Sequence, residues 1–247
     1  MTERVLVAVH GNFASAVWWF DLLADPPRGW RVLAPTLPGF GGTYHPPEAA
    51  SIPTYAEWLA GWLNERGVTR PVLLGHSLGG AVVLELAAQA PEHVAGVILA
   101  ASAPPSGLAT PEENYPVLEL LRTVRTVREA SLSALFPSGR PGNFAQYVED
   151  AGRMHDGHYS GNARALAAWH VDPAALRGVP TLVLGGALDT LVTPDMVRAT
   201  AEALTTRAVT LDGVGHGFPQ ENPAAFREHV TAFLNARPVQ ERLAAGA

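Results

Sequence analysis

The chain has 247 residues, 47% of them hydrophobic and 16% charged, with a formal net charge of −6. That balance supports a substantial core and excludes a disordered chain, while the sparse, scattered Lys and Arg argue against a nucleic-acid binder. Cysteine is absent, which excludes disulfides, thiolate metal sites and a cysteine nucleophile.

The first ten residues carry one basic residue and a short apolar run, too little for a secretory signal. No run approaches the roughly 20 apolar residues of a membrane-spanning helix. The expectation is a soluble, cytoplasmic chain with no membrane partner. Residues 5–9 (VLVAV) form a continuous apolar run that stops at His10-Gly11, the pattern of a strand buried on both faces. Similar runs follow at 31–34, 72–74, 97–100, 181–184 and 208–211. Helical patterns lie between them, at 55–65, 79–89, 194–204 and 223–234. This alternation predicts an α/β fold, a doubly wound, mostly parallel sheet with helices on both faces.

The rhythm breaks from residue 103 to about 172, where helical stretches at 116–128, 143–153 and 163–169 are separated by Pro and Gly without a strand-like run. An insertion of this length with its own helices predicts a helical cap rather than a loop. The expected organisation is core at 1–102, cap at 103–172 and core again at 173–247, with a short helix or frayed end from residue 237.

The strongest chemical signal is Gly75-His76-Ser77-Leu78-Gly79, directly after the run at 72–74 and directly before a helix. A G-x-S-x-G turn between strand and helix strains the serine backbone and needs glycine on both sides to avoid Cβ clashes. It lifts the hydroxyl above the sheet edge and puts the next amide at a helix N-terminus, where it can face an anion. The plain alternative is a glycine-rich turn whose serine merely caps the helix; the strand before and the helix after argue against it.

A serine needs a base, and the base an orienting group. His216 lies between the last strand and the last long helix in Gly213-Val214-Gly215-His216-Gly217-Phe218, where the glycines let a loop bend inward. Asp189 follows the run at 181–184 and so emerges at the same sheet edge, where ligands gather in open α/β folds. Rival carboxylates are weaker. Asp212 is too near His216 in sequence, Asp195 reads as a helix-start residue, and residues 100–103, after the fourth strand, carry none.

With these residues in the order Ser, Asp, His, the chain resembles an α/β-hydrolase over nearly its whole length. The resemblance implies Ser77 as nucleophile, His216 as general base and then acid, and Asp189 as the orienting carboxylate. His10-Gly11-Asn12-Phe13 resembles the oxyanion loop of that family. The backbone amides of Asn12 and Leu78 would then bind the developing oxyanion, with His10 bracing the loop. Residues 38–43 resemble a structural turn of the same family.

Substrate contacts are expected from Phe13, His76, Val192, Trp169 and Phe218, around an apolar pocket suited to small or medium esters. Trp18 and Trp19 fit core packing and pocket lining equally well. His155-Asp156-Gly157-His158 reads as a turn rather than a metal site, since two His and one Asp rarely hold zinc and no third His or Cys stands at ligand spacing. No Arg or Lys cluster marks a phosphate or coenzyme tail, so neither metal nor cofactor is expected, only a small-molecule substrate. The oligomeric state is open. The leading expectation is carboxylic ester hydrolysis through an acyl-enzyme. Within the fold the alternatives are a lactonase, a carbon–carbon bond hydrolase, a perhydrolase or a hydroxynitrile lyase. Outside enzymology stands a non-catalytic small-ligand receptor on the same scaffold.

Overall fold

A computed structural model of the chain describes residues 3–44 and 50–245. Six strands, β1 (Val5–Val9), β2 (Arg31–Leu33), β3 (Val72–His76), β4 (Gly96–Ala100), β5 (Thr181–Gly186) and β6 (Ala208–Leu211), form one sheet in the order β2-β1-β3-β4-β5-β6. Every neighbouring pair is parallel. Side chains alternate between the two faces of a strand, yet every residue of β1, β3 and β4 is buried, so both faces are covered.

The covering helices follow from spacing and caps. After the short α1 (Phe20–Ala24), α2 (Ile52–Glu65) buries Ile52, Tyr55, Ala56, Leu59 and Leu63, one stripe of a 3.6-residue period. It starts where the Ser51 hydroxyl accepts from the Thr54 amide, with Pro53 in the first turn. The third helix, α3 (Leu78–Gln89), packs beside α2 and is apolar almost all round, as suits a helix sunk between sheet and neighbours.

Between β4 and β5 lie α4 (Tyr115–Thr123), α5 (Arg125–Ser133), α6 (Phe144–Gly152) and α7 (His158–Ala168), which pack on one another. The stretch expected as one helix over 116–128 is two, broken at Val124, whose extended ψ of 96° interrupts the helical path. The last of the four starts at His158, five residues before the expected 163, because Gly157 turns the chain in the left-handed region at φ +87°. The chain ends with α8 (Pro194–Ala203), α9 (Phe218–Glu221), α10 (Pro223–Leu234) and α11 (Arg237–Ala244). The start of the tail expected from 237 is therefore helical; residues 246–247 lie outside the described residues, as do 1–2 of the N-terminal stretch. Among the described residues no helix is long and apolar enough to cross a membrane.

From β1 the chain steps outward to β2 and then returns to β3 on the other side of β1. Connections diverge at this boundary, the place at the strand C-termini where ligands gather in open α/β sheets. The register Val9↔Gly75 brings the loop after β1 beside the turn after β3.

Candidate active site

β3 runs two residues beyond its apolar stretch, with His76 still paired to Ala100, so Ser77 leaves the ladder abruptly. Its backbone sits at φ +53°, ψ −118°, a conformation that a residue with a Cβ rarely adopts. The ends of that peptide are tied down: Ser77 N donates to Ala100 O at 3.1 Å, and Ser77 O accepts from the amides of Gly80 at 2.9 Å and Ala103 at 3.2 Å. The Ser77 side chain makes no capping bond to α3, which removes the reading of this serine as a helix cap. Glycine is needed around it because backbones nearly touch. A Cβ on Gly75 would stand 2.3 Å from Gly79 O, and one on Gly79 would stand 2.4 Å from His10 O.

The loop after β1 is braced by His10, which is fully buried. Its Nδ1–H donates to Gly11 O at 2.8 Å and its Nε2 accepts from the Leu37 amide at 3.0 Å. Both ring nitrogens are thus committed in the neutral form, and burial lowers its pKa to about 4. At Gly11 a Cβ would lie 2.8 Å from His76 Nδ1 and 3.0 Å from Ser77 Cβ, so this loop runs against the elbow itself. Asn12 and Phe13 are half-buried, with Phe13 at φ +61°. Leu78 opens α3, where an amide has no intrahelical partner.

Asp189 and His216 meet at the same rim. His216 Nδ1 donates to Asp189 Oδ2 at 2.7 Å, and both residues are buried. The other oxygen, Oδ1, accepts from the amides of Leu191 at 2.8 Å and Val192 at 3.0 Å, so the carboxylate is aimed by its own turn. Their two loops also run in backbone contact, with Leu188 N donating to Val214 O at 2.8 Å. The rivals stand apart: Asp195 is exposed and pairs with Arg198, and Asp212 is exposed. Among the described residues no hydrogen bond joins Ser77 Oγ to His216; such bonds often tighten only in the substrate complex.

The helical insertion rests directly on the histidine loop. Gly217 N donates to Leu135 O at 2.8 Å, and Glu221 accepts from Gly215 N at 2.7 Å and from Ser138 N at 2.9 Å. Side chains at Gly215 or Gly217 would collide with Pro137 and Phe136. The glycines flanking His216 therefore admit the insertion, as well as letting the loop bend. An aromatic ladder continues the contact, in which Trp18 lies 5.2 Å from Tyr147 and 4.6 Å from His76, whose ring is 4.8 Å from that of His216. Both tryptophans are buried in the core and both meet His76, but Trp19 stacks on Phe226 whereas Trp18 reaches Tyr147 and Phe136 of the insertion.

The residues expected to touch substrate are placed unevenly. Phe13 is half-buried beside the elbow, 6.0 Å from the Tyr159 ring. His76 is buried and holds the His216 carbonyl through Nε2 at 2.9 Å, its pKa lowered by burial and then by the neighbouring His216. Val192 and Phe218 are fully buried in the core, the first lending its amide to Asp189 and the second packing on Phe226. Trp169 donates to Glu85 at 2.8 Å, about two turns down α3 from Ser77, and acts there as a strut. Leu188 and Leu191, exposed on either side of Asp189, supply apolar surface at the rim instead.

The residues that sequence reasoning missed are polar and distant in sequence: Glu221, and the Asn162 that bonds Asn12. Neither stands in a motif, and only an acidic residue five places after His216 could have drawn attention. Among the described residues no cluster of three or more His, Cys, Asp or Glu could hold a metal.

The profile of the Alpha/beta hydrolase family matches residues 6–229. The chain is 28% identical to the 2-succinyl-6-hydroxy-2,4-cyclohexadiene-1-carboxylate synthase of Pectobacterium atrosepticum, covering 96% of this chain and 95% of that one. Among solved structures it is similar to an enol-lactonase from Burkholderia xenovorans LB400, with TM-score 0.85 and 23% identity over 96% of this chain and 93% of that one. An esterase from Exiguobacterium antarcticum matches with TM-score 0.84 and 19% identity, over 94% and 92%. At these identities the two structures attest the fold.

Proposed function

The chain belongs to the alpha/beta hydrolase family, and from that premise we propose that it is a serine hydrolase cleaving a carboxylic ester, or a related acyl bond, of a small to medium apolar substrate. The observation that carries this reading is the buried 2.7 Å bond between His216 Nδ1 and Asp189 Oδ2, at the sheet edge where Ser77 stands in a strained turn. The bond fixes the tautomer, leaving Nε2 of His216 with a lone pair to receive a proton.

In this mechanism His216 Nε2 takes the Ser77 proton as Oγ attacks the acyl carbon. The negative charge on the carbonyl oxygen falls to the amides of Asn12 and Leu78, donors held in place before the charge develops. Collapse expels the alcohol, which leaves with the proton from His216. Water, deprotonated by the same imidazole, then releases the acid and restores Ser77. Asp189 stays ionised throughout and favours the imidazolium. The four insertion helices act as a cap, excluding water and shaping the pocket, and no cofactor enters any step.

The test is turnover of short p-nitrophenyl esters by the wild type and by Ser77→Ala, with labelling by a fluorophosphonate and peptide mapping. Loss of turnover in the variant and an adduct on Ser77 support the proposal. An adduct elsewhere, or undiminished turnover, overturns it. Running a lactone beside the esters shows which acyl bond is preferred, and a vinylogous diketone separates the acyl chemistry proposed here from carbon–carbon cleavage.

A further inference from the structure

Asn162 lies on α7, is fully buried, and uses both ends of its amide on different elements. Its Oδ1 accepts from the Tyr55 hydroxyl of α2 at 2.7 Å, and its Nδ2 donates to Asn12 Oδ1 at 3.0 Å. The same Asn12 oxygen accepts from the Phe13 amide at 3.2 Å. One buried asparagine of the insertion thus grips the loop after β1 at a residue 150 positions earlier in the chain.

That grip falls where the backbone is under strain. Phe13 holds φ +61°, a left-handed value costly for an aromatic residue, and such strain persists only where surrounding bonds over-determine it. Two bonds on Asn12 Oδ1 set the direction of the Asn12 side chain and of the following amide. The rotation of residue 12, and with it the aim of its own N–H, is then restricted from both sides. His10 holds Gly11 O, which shares a planar peptide with the Asn12 N–H, and so fixes that amide from the front; the bonds on Asn12 Oδ1 are what hold residue 12 from behind. The network is neutral, so it adds no charge beside the oxygen that must become negative.

We propose that Asn162 is a positioning residue for the oxyanion site, a clamp by which the insertion holds the Asn12 amide on target. The inference rests on the serine-hydrolase reading above. It requires that Asn162 act on the chemical step through Asn12, rather than through substrate binding or folding alone.

The test measures kcat and KM on p-nitrophenyl acetate, and the affinity for benzeneboronic acid, for Asn162→Ala, Asn12→Ala and the double variant. Loosening a donor by an ångström or so lowers kcat by about ten- to a hundredfold. We expect that fall in both single variants, with KM changed by less than about twofold and boronate affinity lost in proportion, as for an interaction made only in the transition state. Because both substitutions break one bond, the double variant should be no slower than Asn12→Ala.

A rise in KM at unchanged kcat, or losses that multiply in the double variant, overturns the clamp. Should Asn162→Ala not fold, Asn12→Ala decides alone, since it cuts the same bond at a half-buried loop; unchanged kcat there is fatal to the idea. Turnover that survives Ser77→Ala overturns the underlying reaction instead, whereas an inactive Ser77→Ala beside fully active asparagine variants overturns only the clamp.

Discussion

Ser77 and Asp189, at the ends of parallel strands, are positioned by backbone. Ser77 is set by three main-chain bonds and by glycines that let chains touch, and Asp189 by two amides of its own turn. The insertion reaches the same rim through one main-chain bond, Gly217 N to Leu135 O, and otherwise through side-chain bonds. Asn162 grips Asn12, the Ser15 hydroxyl donates to Asp150 at 2.5 Å, and Glu221 ties Ser138 to Gly215. The two regions thus build one site by different means. Sheet geometry places Ser77 and Asp189, and long-range polar contacts hold the loops between them in one arrangement.

The difference is sharpest at Ser77. Glycine there relieves the left-handed strain but removes the proposed nucleophile, so Ser77→Gly should lose about 10⁴-fold or more in kcat while gaining about 1 kcal/mol in stability. Esterase assays beside urea denaturation would show both; a less stable variant would mean the elbow is not strained as described. Next comes Asp189→Asn, which keeps the two amide bonds but turns an NH₂ toward His216 and favours the wrong tautomer. A loss of about 10³- to 10⁴-fold in kcat is expected. A loss below tenfold would show that another group orients the imidazole.

The pH dependence of stability examines the loop that joins the two regions. His10 has a folded pKa near 4, below its unfolded value of 6.5, so the unfolded chain binds the proton more readily. Its contribution is full above pH 6.5 and is lost as pH falls toward 4. For one fully buried imidazole this amounts to about 2–3 kcal/mol between pH 7 and 4.5, with His76 shifted the same way. Urea midpoints at the two pH values, for the wild type and His10→Asn, measure it. An equal acid loss in both proteins would remove His10 as the cause.

The smallest effect belongs to the insertion contact on the histidine loop. Glu221→Ala leaves the Gly215 amide without its carboxylate and releases Ser138, costing about 1–2 kcal/mol of stability. Activity should fall less than for Asp189→Asn, since the His216–Asp189 bond remains. A larger kinetic loss than at Asp189 would reverse the ranking of the two regions.

The sheet was readable because its signals are local. Runs such as residues 5–9 declare strands buried on both faces, and glycines around Ser77 and His216 announce close backbone approaches. The bounds moved little: β3 gained Gly75 and His76, since a strand end is set by its partner β4 rather than by hydropathy. The insertion was readable only as helical. Its break at Val124 and its early start at His158 depend on packing and on one glycine turn. Val192, Trp169 and Phe218 were expected to touch substrate from type alone, and their neighbours show them serving the carboxylate, a strut and the core.

By itself, the amino-acid sequence determined an α/β sheet, a strained serine turn, and a histidine and an aspartate destined for the same edge, because strand–loop–helix punctuation is written over a few residues at a time. The sequence also favoured Asp189 over its rivals, but only the tertiary structure brought its carboxylate within 2.7 Å of His216 Nδ1 and set Asn162 against Asn12. Those contacts join residues 27 and 150 positions apart, and a hydrogen bond across such distances has no local signature. Its partners are chosen by how the elements pack.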